Sequence, residues 1–463
     1  MPKFTKLLPL FLLTGFLILA GFGCKGITKE QAAAIRPVAL EYWTVADDVD
    51  EMQKLIDQYR AARPYLTVNL RQLRGNELYP RLLEALSEDK GPDIVSVSNK
   101  WLRLFLPKLA PMPDSVKDAT VIVTKNQLGG TDTVIKNITQ SLPGAINIDR
   151  EYVRAVKNDV VVNGHVYGLP LSFDTMALFY NKDMLDKAGI AEPPKTWEDL
   201  QKQVKKLTRF NKQTGKITQA GAALGNGNVD SFDDLLYLLY RQSDLDFTDA
   251  NGQVRFNLVR AGQENSDVNP FKVVGFFTDF ANPERDTYSW NKDMGGALEA
   301  FVSGKTAFML GYNFQLDLIK ARAPGLNVEV TPMLQLNPEA PANAASYFVQ
   351  TVIGKSKRQN EAWGLLNYLA HSRATKDYLD RSGRPSALRA YIEAQKQDPK
   401  LAPFAAQVLA AENWYRGTDY PAAMTAISEM LDDWLKPALP DANPDEVKQN
   451  ILNAAAAKVN QTL

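Results

Sequence analysis

The sequence predicts an α/β fold, a parallel sheet with helices packed on its faces, spread over two domains. Between Val38 and Val97 strand-like and amphipathic helical stretches alternate as strand, helix, strand, helix, strand. That order requires crossover helices and therefore parallel pairing. The chain has 463 residues, more than one hydrophobic core accommodates, so two domains are expected. Charge is balanced, with 53 Lys and Arg against 53 Asp and Glu, which argues against a nucleic-acid binder.

The elements follow in order from the N-terminus. Lys3 and Lys6 precede an apolar run from Leu7 to Ala20, and Gly21, Phe22 and Gly23 lead into Cys24, the only cysteine. Residues 1–23 thus read as an export signal, and residues 24–35 as a tether. The placement of Cys24 resembles the lipid-acceptor cysteine of bacterial lipoproteins, although Gly21 stands where that pattern usually has Leu. An uncleaved anchor and a fully removed signal are the competing readings. A single cysteine allows no intramolecular disulfide, so packing must hold an exported fold together. No other stretch is apolar enough over sufficient length to span a membrane.

Residues 38–43 read as the first strand. Asp47 and Asp48 can cap a helix bearing Met52, Leu55, Ile56 and Tyr59 on one face. Residues 67–73 form the second strand, Leu78, Leu82, Leu83 and Leu86 mark the second helix, and residues 93–97 form the third strand. Val160–Tyr167 reads as a hairpin turning on Asn163-Gly164, which supply positive φ. Residues 177–180 form a further strand. Thr196 caps a helix with Asp199 in the capping-box position. Beyond it helices predominate, broken by a hairpin at 249–256 and by strands near 307–310, 328–331 and 347–353.

Motifs for catalysis or metal binding fail on spacing. Gly304-Lys305-Thr306 resembles the end of a phosphate-binding loop, but Glu299 occupies the required glycine position. Asp249-Ala250-Asn251-Gly252 resembles a calcium loop whose first and closing positions are Phe247 and Leu258. His165 and His371 are far apart and lack metal-ligand spacing. Nothing singles out a catalytic carboxylate pair, and neither an enzyme activity nor a cofactor is expected.

Three stretches together carry a family resemblance: Glu41-Tyr42-Trp43-Thr44 with Asp47-Asp48, Gly91-Pro92-Asp93-Ile94 with Asn99-Lys100-Trp101, and Tyr167-Gly168-Leu169-Pro170 running through Asp174 and Tyr180-Asn181-Lys182 to Pro193-Pro194-Lys195-Thr196-Trp197. Residues 300–309 and 360–363 agree. The chain resembles the family 1 extracellular solute-binding proteins of ABC importers, the group that includes maltose-binding protein. The resemblance implies the two-lobed type II periplasmic-binding-protein fold, closing on a solute in the interlobe cleft. It places crossings near Pro170–Asp174, Met309–Tyr312 and Val352–Lys355. Residues 36–171 and 311–352 would then form lobe I, and residues 172–310 and 353–463 lobe II.

Open parallel sheets bind ligands just past the C-terminal ends of their strands, and sugars want flat aromatic faces beside acids, amides and guanidinium groups. Trp43 and Trp101 are therefore expected to stack on a ligand, and Asp47, Arg74, Asn99 and Asp174 to bond its hydroxyls. Trp290 and Trp414 lie in polar, loop-like settings, and the family pattern places Tyr312 and Tyr347 at the cleft. For each aromatic the competing fate is packing. Trp197, Trp363 and Trp434 sit in helical patterns and read as core, while Arg381 and Arg384 reach the cleft or cap a helix. The implied protein is a monomer that captures a neutral sugar or oligosaccharide for a membrane permease, held to the membrane through Cys24. The family also has members for glycerol phosphates and other polyols. The alternatives are an extracellular carbohydrate-active enzyme and a surface sensor or adhesin.

Overall fold

The computed structural model describes residues 28–45, 48–125, 131–249, 251–259, 268–437 and 440–463. The expected signal, Cys24 and Asp47 lie outside them. In chain order the elements that position the site are β1 (Val38–Thr44), α1 (Val49–Arg60), β2 (Leu66–Gln72), α2 (Gly75–Ser87), β3 (Ile94–Ser98), β4 (Leu169–Pro170) and β5 (Ala177–Asn181). They continue with α3 (Phe232–Gln242), β6 (Thr306–Gly311), α4 (Asn313–Arg322), β7 (Val328–Pro332), β8 (Phe348–Val352), α5 (Gln359–His371) and α6 (Arg373–Ser382).

The first sheet has the order β2-β1-β3-β8-β4. β1 runs parallel to β2, with Val38 opposite Leu66 and Thr44 opposite Gln72, and parallel to β3, as the alternation predicts. α1 returns the chain between β1 and β2, burying Met52, Leu55, Ile56 and Tyr59, the face predicted from spacing. β8 closes the sheet antiparallel to β3, with Val349 opposite Val97. In the second sheet β5 lies antiparallel between β6 and β7, and residues 217–222 run parallel to β6. Local predictions hold elsewhere too. Asn163 and Gly164 adopt φ of 51° and 81° in the tight turn, and Thr196 accepts the Asp199 N–H at 3.1 Å.

Each sheet anchors its own core. The first contains Leu40, Tyr42, Ile94, Val97, Tyr347 and Val349, and the second Leu178, Phe179, Leu235, Trp290, Phe308 and Trp414. A three-stranded sheet joins them, with residues 343–346 pairing antiparallel to 174–175 and parallel to 411–412. At the first expected crossing, Pro170–Asp174, the chain passes from the first core, which holds Phe173, to the second, which holds Met176. No such passage occurs at the next, near Met309–Tyr312, because α4 folds back to place Ile319 in the second core and β7 pairs with β5. The chain crosses instead at 343–347. Nor does it leave the first core at Val352–Lys355. Trp363, Leu366 and Leu369 of α5, and Tyr378 and Leu379 of α6, pack there, beside α1. The last passage runs through 404–415, where Phe404, Trp414 and Tyr415 belong to the second core and Val408 and Ala411 to the first.

One sizeable element has no counterpart in the sequence reading. Residues 115–125 and 131–141 pair antiparallel as a long ribbon beside the first lobe. It is fixed at its base by the Val121 N–H to Ala62 carbonyl bond at 2.8 Å and by Arg63 on Asp118. Its distal strands leave Ile122, Val123 and Val134 exposed, so no clean alternation marked it.

Candidate functional site

The two lobes meet along a polar seam built from β3 and its following turn on one side and from α3 and the C-terminal segment on the other. The turn after β3 is a single 3-10 turn, Asn99–Trp101, which directs Lys100 across the seam. The Lys100 ammonium donates to Asp233 Oδ2 at 2.8 Å, to Asp234 Oδ1 at 2.6 Å and to the Tyr420 hydroxyl at 3.0 Å. Asp233 and Asp234 lie in the first turn of α3, where backbone N–H groups and the helix dipole favour negative charge. Tyr312, just after β6, donates its hydroxyl to Asp234 Oδ2 at 2.7 Å. The Trp414 indole N–H reaches Asp233 Oδ2 at 3.0 Å, and the Tyr420 hydroxyl reaches it at 2.8 Å.

A second knot lies beside the first. Asp159 accepts the Tyr347 hydroxyl at 2.6 Å, the Arg416 Nε–H at 2.8 Å and the Asn413 amide at 3.2 Å. Asn413 and Arg416 flank Trp414, and Arg103 follows Lys100 by one helical turn, so the two knots share their supporting segments. Burial depresses the Arg103 guanidinium, and the Asp159 carboxylate opposes that shift.

Electrostatics in the seam follow from burial. Desolvation alone would lower the Lys100 ammonium, but the carboxylates of Asp233 and Asp234 outweigh it and hold its pKa well above the usual value. Burial, then the neighbouring Asp233 charge, raises Asp234 to about 6 against the pull of Lys100. At the first crossing, burial raises Asp174 to about 7, opposed by the backbone N–H of Asn313, by Arg384 and by the N–H groups of Phe314 and Thr175. Both folded pKa values lie above the ordinary carboxyl value of 3.8. Between that value and about 7 the folded state therefore holds more protons than the unfolded one, and stability falls as pH rises. The melting temperature is expected to decline from pH 4 towards pH 7, and Asp174→Asn to flatten the decline; thermal unfolding across that range checks both.

The structure sorts the predicted residues. Tyr312, Tyr347 and Trp414 lie in the seam. Asp174 sits at its edge on the crossing strand, accepting the Thr175 N–H at 2.9 Å and the Phe314 N–H at 3.3 Å. Asn99 turns inward instead. Its amide donates to the Ala345 carbonyl at 3.2 Å and its backbone N–H to the Tyr347 carbonyl at 3.0 Å, so it fixes the crossing strand rather than a ligand. Trp43 is buried in the first core with Arg71 5.2 Å from its ring. Trp101 packs edge-on against Tyr79 at 4.8 Å. Trp290 is fully buried in the second core, its N–H on Asn228 Oδ1 at 2.8 Å. These three aromatics take the packing fate because distant segments cover them, Arg71 over Trp43, Tyr79 against Trp101 and Asn228 on Trp290. Arg74 is exposed beside Glu77 and lines a concavity of about 530 Å³ at the ends of β1 and β2, with Val45, Gln72 and Leu73. Trp197 and Trp363 are core, and Trp434 is half-buried against Phe271. Arg381 pairs with Glu51 at 2.6 Å, while buried Arg384 approaches Asp317 of α4 at 3.6 Å.

Sequence reasoning missed Lys100, Asp159, Asp233, Asp234, Arg416 and Tyr420. The acids opening α3 look like ordinary first-turn residues, and Lys100 lies between two residues that were singled out. Among the described residues no group of three or more His, Cys, Asp or Glu is placed to hold a metal ion, and no helix is long and apolar enough to cross a membrane. What the seam offers is a row of carboxylate, hydroxyl and amide groups beside indole and phenol rings, with contributions from both lobes.

Residues 43–376 match the family described as bacterial extracellular solute-binding protein. A binding protein of Brucella abortus is 21% identical over 391 residues, covering 83% of this chain and 82% of that protein. The multiple sugar-binding protein of Streptococcus mutans is 22% identical over 313 residues, 63% of this chain and 71% of that protein. The crystal structure of a cyclic alpha-maltosyl-1,6-maltose binding protein from Arthrobacter globiformis superposes with a TM-score of 0.66 at 17% identity, over 92% of this chain and 99% of that one. At such identity the likeness is one of fold: two α/β lobes joined by crossing strands.

Proposed function

Because the chain belongs to the bacterial extracellular solute-binding proteins, we propose that it captures a carbohydrate between its lobes and delivers it to the permease of an ABC importer. The observation that carries this reading is the seam, where Tyr312, Trp414 and Tyr420 lie beside Asp233 and Asp234 while Tyr347 reaches Asp159. Rings and hydrogen-bonding acceptors supplied by both lobes are what a sugar with apolar faces and a hydroxyl rim requires. The names of similar proteins in other bacteria support the same class.

A thermal-shift panel of neutral saccharides, glycerol phosphodiesters and peptides tests the proposal. A ligand that binds only the folded state stabilises it by about 2.7 kcal/mol at a hundredfold excess over Kd, and a neutral saccharide is the expected hit. If only a phosphodiester or a peptide raises the melting temperature, the carbohydrate assignment fails. The protein acts in this reading as a receptor and not as a hydrolase. Release of sugar from oligosaccharides at catalytic protein levels would overturn that part.

The division into lobes is proposed as residues 36–171 with 345–392 against 176–344 with 412–463, following the membership of the two cores. The protein is further proposed to work as a monomer, tethered at the outer face of the cytoplasmic membrane through a lipid on Cys24, which keeps a receptor beside its permease. The apolar run ending at a sole cysteine supports the anchor. Cys24→Ser is expected to shift the protein from the membrane pellet to the soluble fraction; continued sedimentation would favour an uncleaved anchor.

A further inference from the structure

Lys100 enters the seam from the first lobe, yet every group that its ammonium touches there belongs to the second. An ammonium has three N–H donors, and all three are engaged, on Asp233, Asp234 and Tyr420. The rings of Tyr420 and Trp414 lie 4.8 and 5.9 Å from the same nitrogen, within reach of cation–π attraction. Lys100 is 6% exposed, Asp233 0% and Asp234 2%. One ammonium faces two carboxylates, and Asp233 Oδ1 is buried with no hydrogen-bond donor at all. A buried acceptor without a donor is costly, so the cluster is one partner short.

Three convergent donors set against aromatic rings are also what adjacent hydroxyls on a sugar ring present. We infer that Lys100 is an intramolecular competitor for the ligand: it occupies acceptors on the second lobe that a vicinal diol uses, holds the empty cleft shut, and is displaced on binding. The solute then satisfies Asp233 Oδ1 as well as the acceptors that Lys100 releases. This inference rests on the carbohydrate reading and narrows it to ligands whose neighbouring hydroxyls reach the opening turn of α3. Arg416 does not substitute for Lys100, because it is committed to Asp159.

Lys100→Met in the full chain removes the ammonium at similar length. Lys100→Met with Asp234→Asn does so while retaining the cluster's net charge of one carboxylate, and serves if the single variant folds poorly. Hydrogen exchange without ligand gives the first readout. Faster amide exchange is expected in residues 99–105, 231–235 and 413–420 of the variants, with the sheet cores unchanged. Calorimetric titration gives the second, with the neutral saccharide among maltose, maltotriose and arabinotriose that shifts the wild type most. Removing the competitor raises the binding-competent fraction, so Kd is expected to fall about tenfold. Unchanged exchange at the seam overturns the inference, as does an unchanged or weaker Kd, which would make Lys100 a ligand-holding group or an inert one. If none of the saccharides binds, the carbohydrate reading fails with the inference. If a saccharide binds but the variants do not tighten, only the inference fails.

Discussion

Asp159→Ala is expected to destabilise the protein by about 3–5 kcal/mol, the usual cost of removing one partner from a buried ion pair. Asp159 is 1% exposed and accepts from Tyr347, Asn413 and Arg416. Alanine leaves the buried Tyr347 hydroxyl and the partly exposed Arg416 guanidinium without this acceptor, and the Asn413 amide with the Tyr415 carbonyl alone. Arg103, already disfavoured by burial, also loses the carboxylate that opposes its desolvation. Asp159→Asn keeps one carbonyl acceptor and should cost about half as much, since what it removes is chiefly the charge-assisted component. Denaturant unfolding of the three proteins checks the order. An alanine variant within about 1 kcal/mol of wild type would mean that the knot behaves as a solvated surface pair. The same substitution frees Tyr347 at the crossing strand, so weaker saccharide binding should accompany the loss of stability.

Trp363→Ala is the second large effect, at about 3–5 kcal/mol for truncating a buried indole. Trp363 is completely buried on α5, where that helix packs with α1 and β8 in the first core. Its indole N–H has no hydrogen-bond partner, which makes a second variant informative. Trp363→Phe forfeits volume but also removes an unsatisfied donor that costs about 1–3 kcal/mol when buried. The phenylalanine variant is therefore expected to stay much closer to wild type than the alanine variant. Equal losses for the two would show that the donor carries no penalty, through a bound water or local rearrangement. Calorimetry is the suitable measurement, because a two-lobed chain can unfold in more than one step and the effect should fall on the lobe that holds α5.

The positions that sequence reasoning placed at the cleft divide in the folded chain. Tyr312, Tyr347 and Trp414 reach the seam, and two of these were picked because they lie just outside a crossing strand. Trp43 and Trp101 were picked for lying at or just past the C-terminal ends of strands and Trp290 for its polar, loop-like setting, and all three pack against their own lobe. Neighbours along the chain do not report burial when the covering surface comes from a distant segment. Trp43 illustrates this: Arg71, which lies over its ring, is supplied by the adjacent strand rather than by the local sequence.

Charged residues were harder to place. Asp233 and Asp234 satisfy the rule for an ordinary helix N-terminus, and nothing local separates a helix-opening acid from one that meets a lysine across a cleft. Their partner is more than 130 positions earlier in the chain. The segments at the two later expected crossings were hard to place for a related reason. The segment after β6 is compatible with either lobe by its own pattern, and only the pairing of β7 with β5 returns it to the second.

The sequence by itself determined the parallel β-α-β start, the amphipathic face of α1, the Asn-Gly turn, the Thr196 cap and membership of a two-lobed family. Each of these depends on a local pattern, on a crossover between neighbouring elements, or on an order of motifs that survives without contacts. The tertiary structure alone decided which lobe owns α4, α5 and α6, which aromatics face the seam, and that Lys100 fills the acceptors of the second lobe. Those outcomes depend on groups brought together by chain crossings, and hydrophobic period and capping chemistry carry no information about what a surface meets after the chain has folded over it.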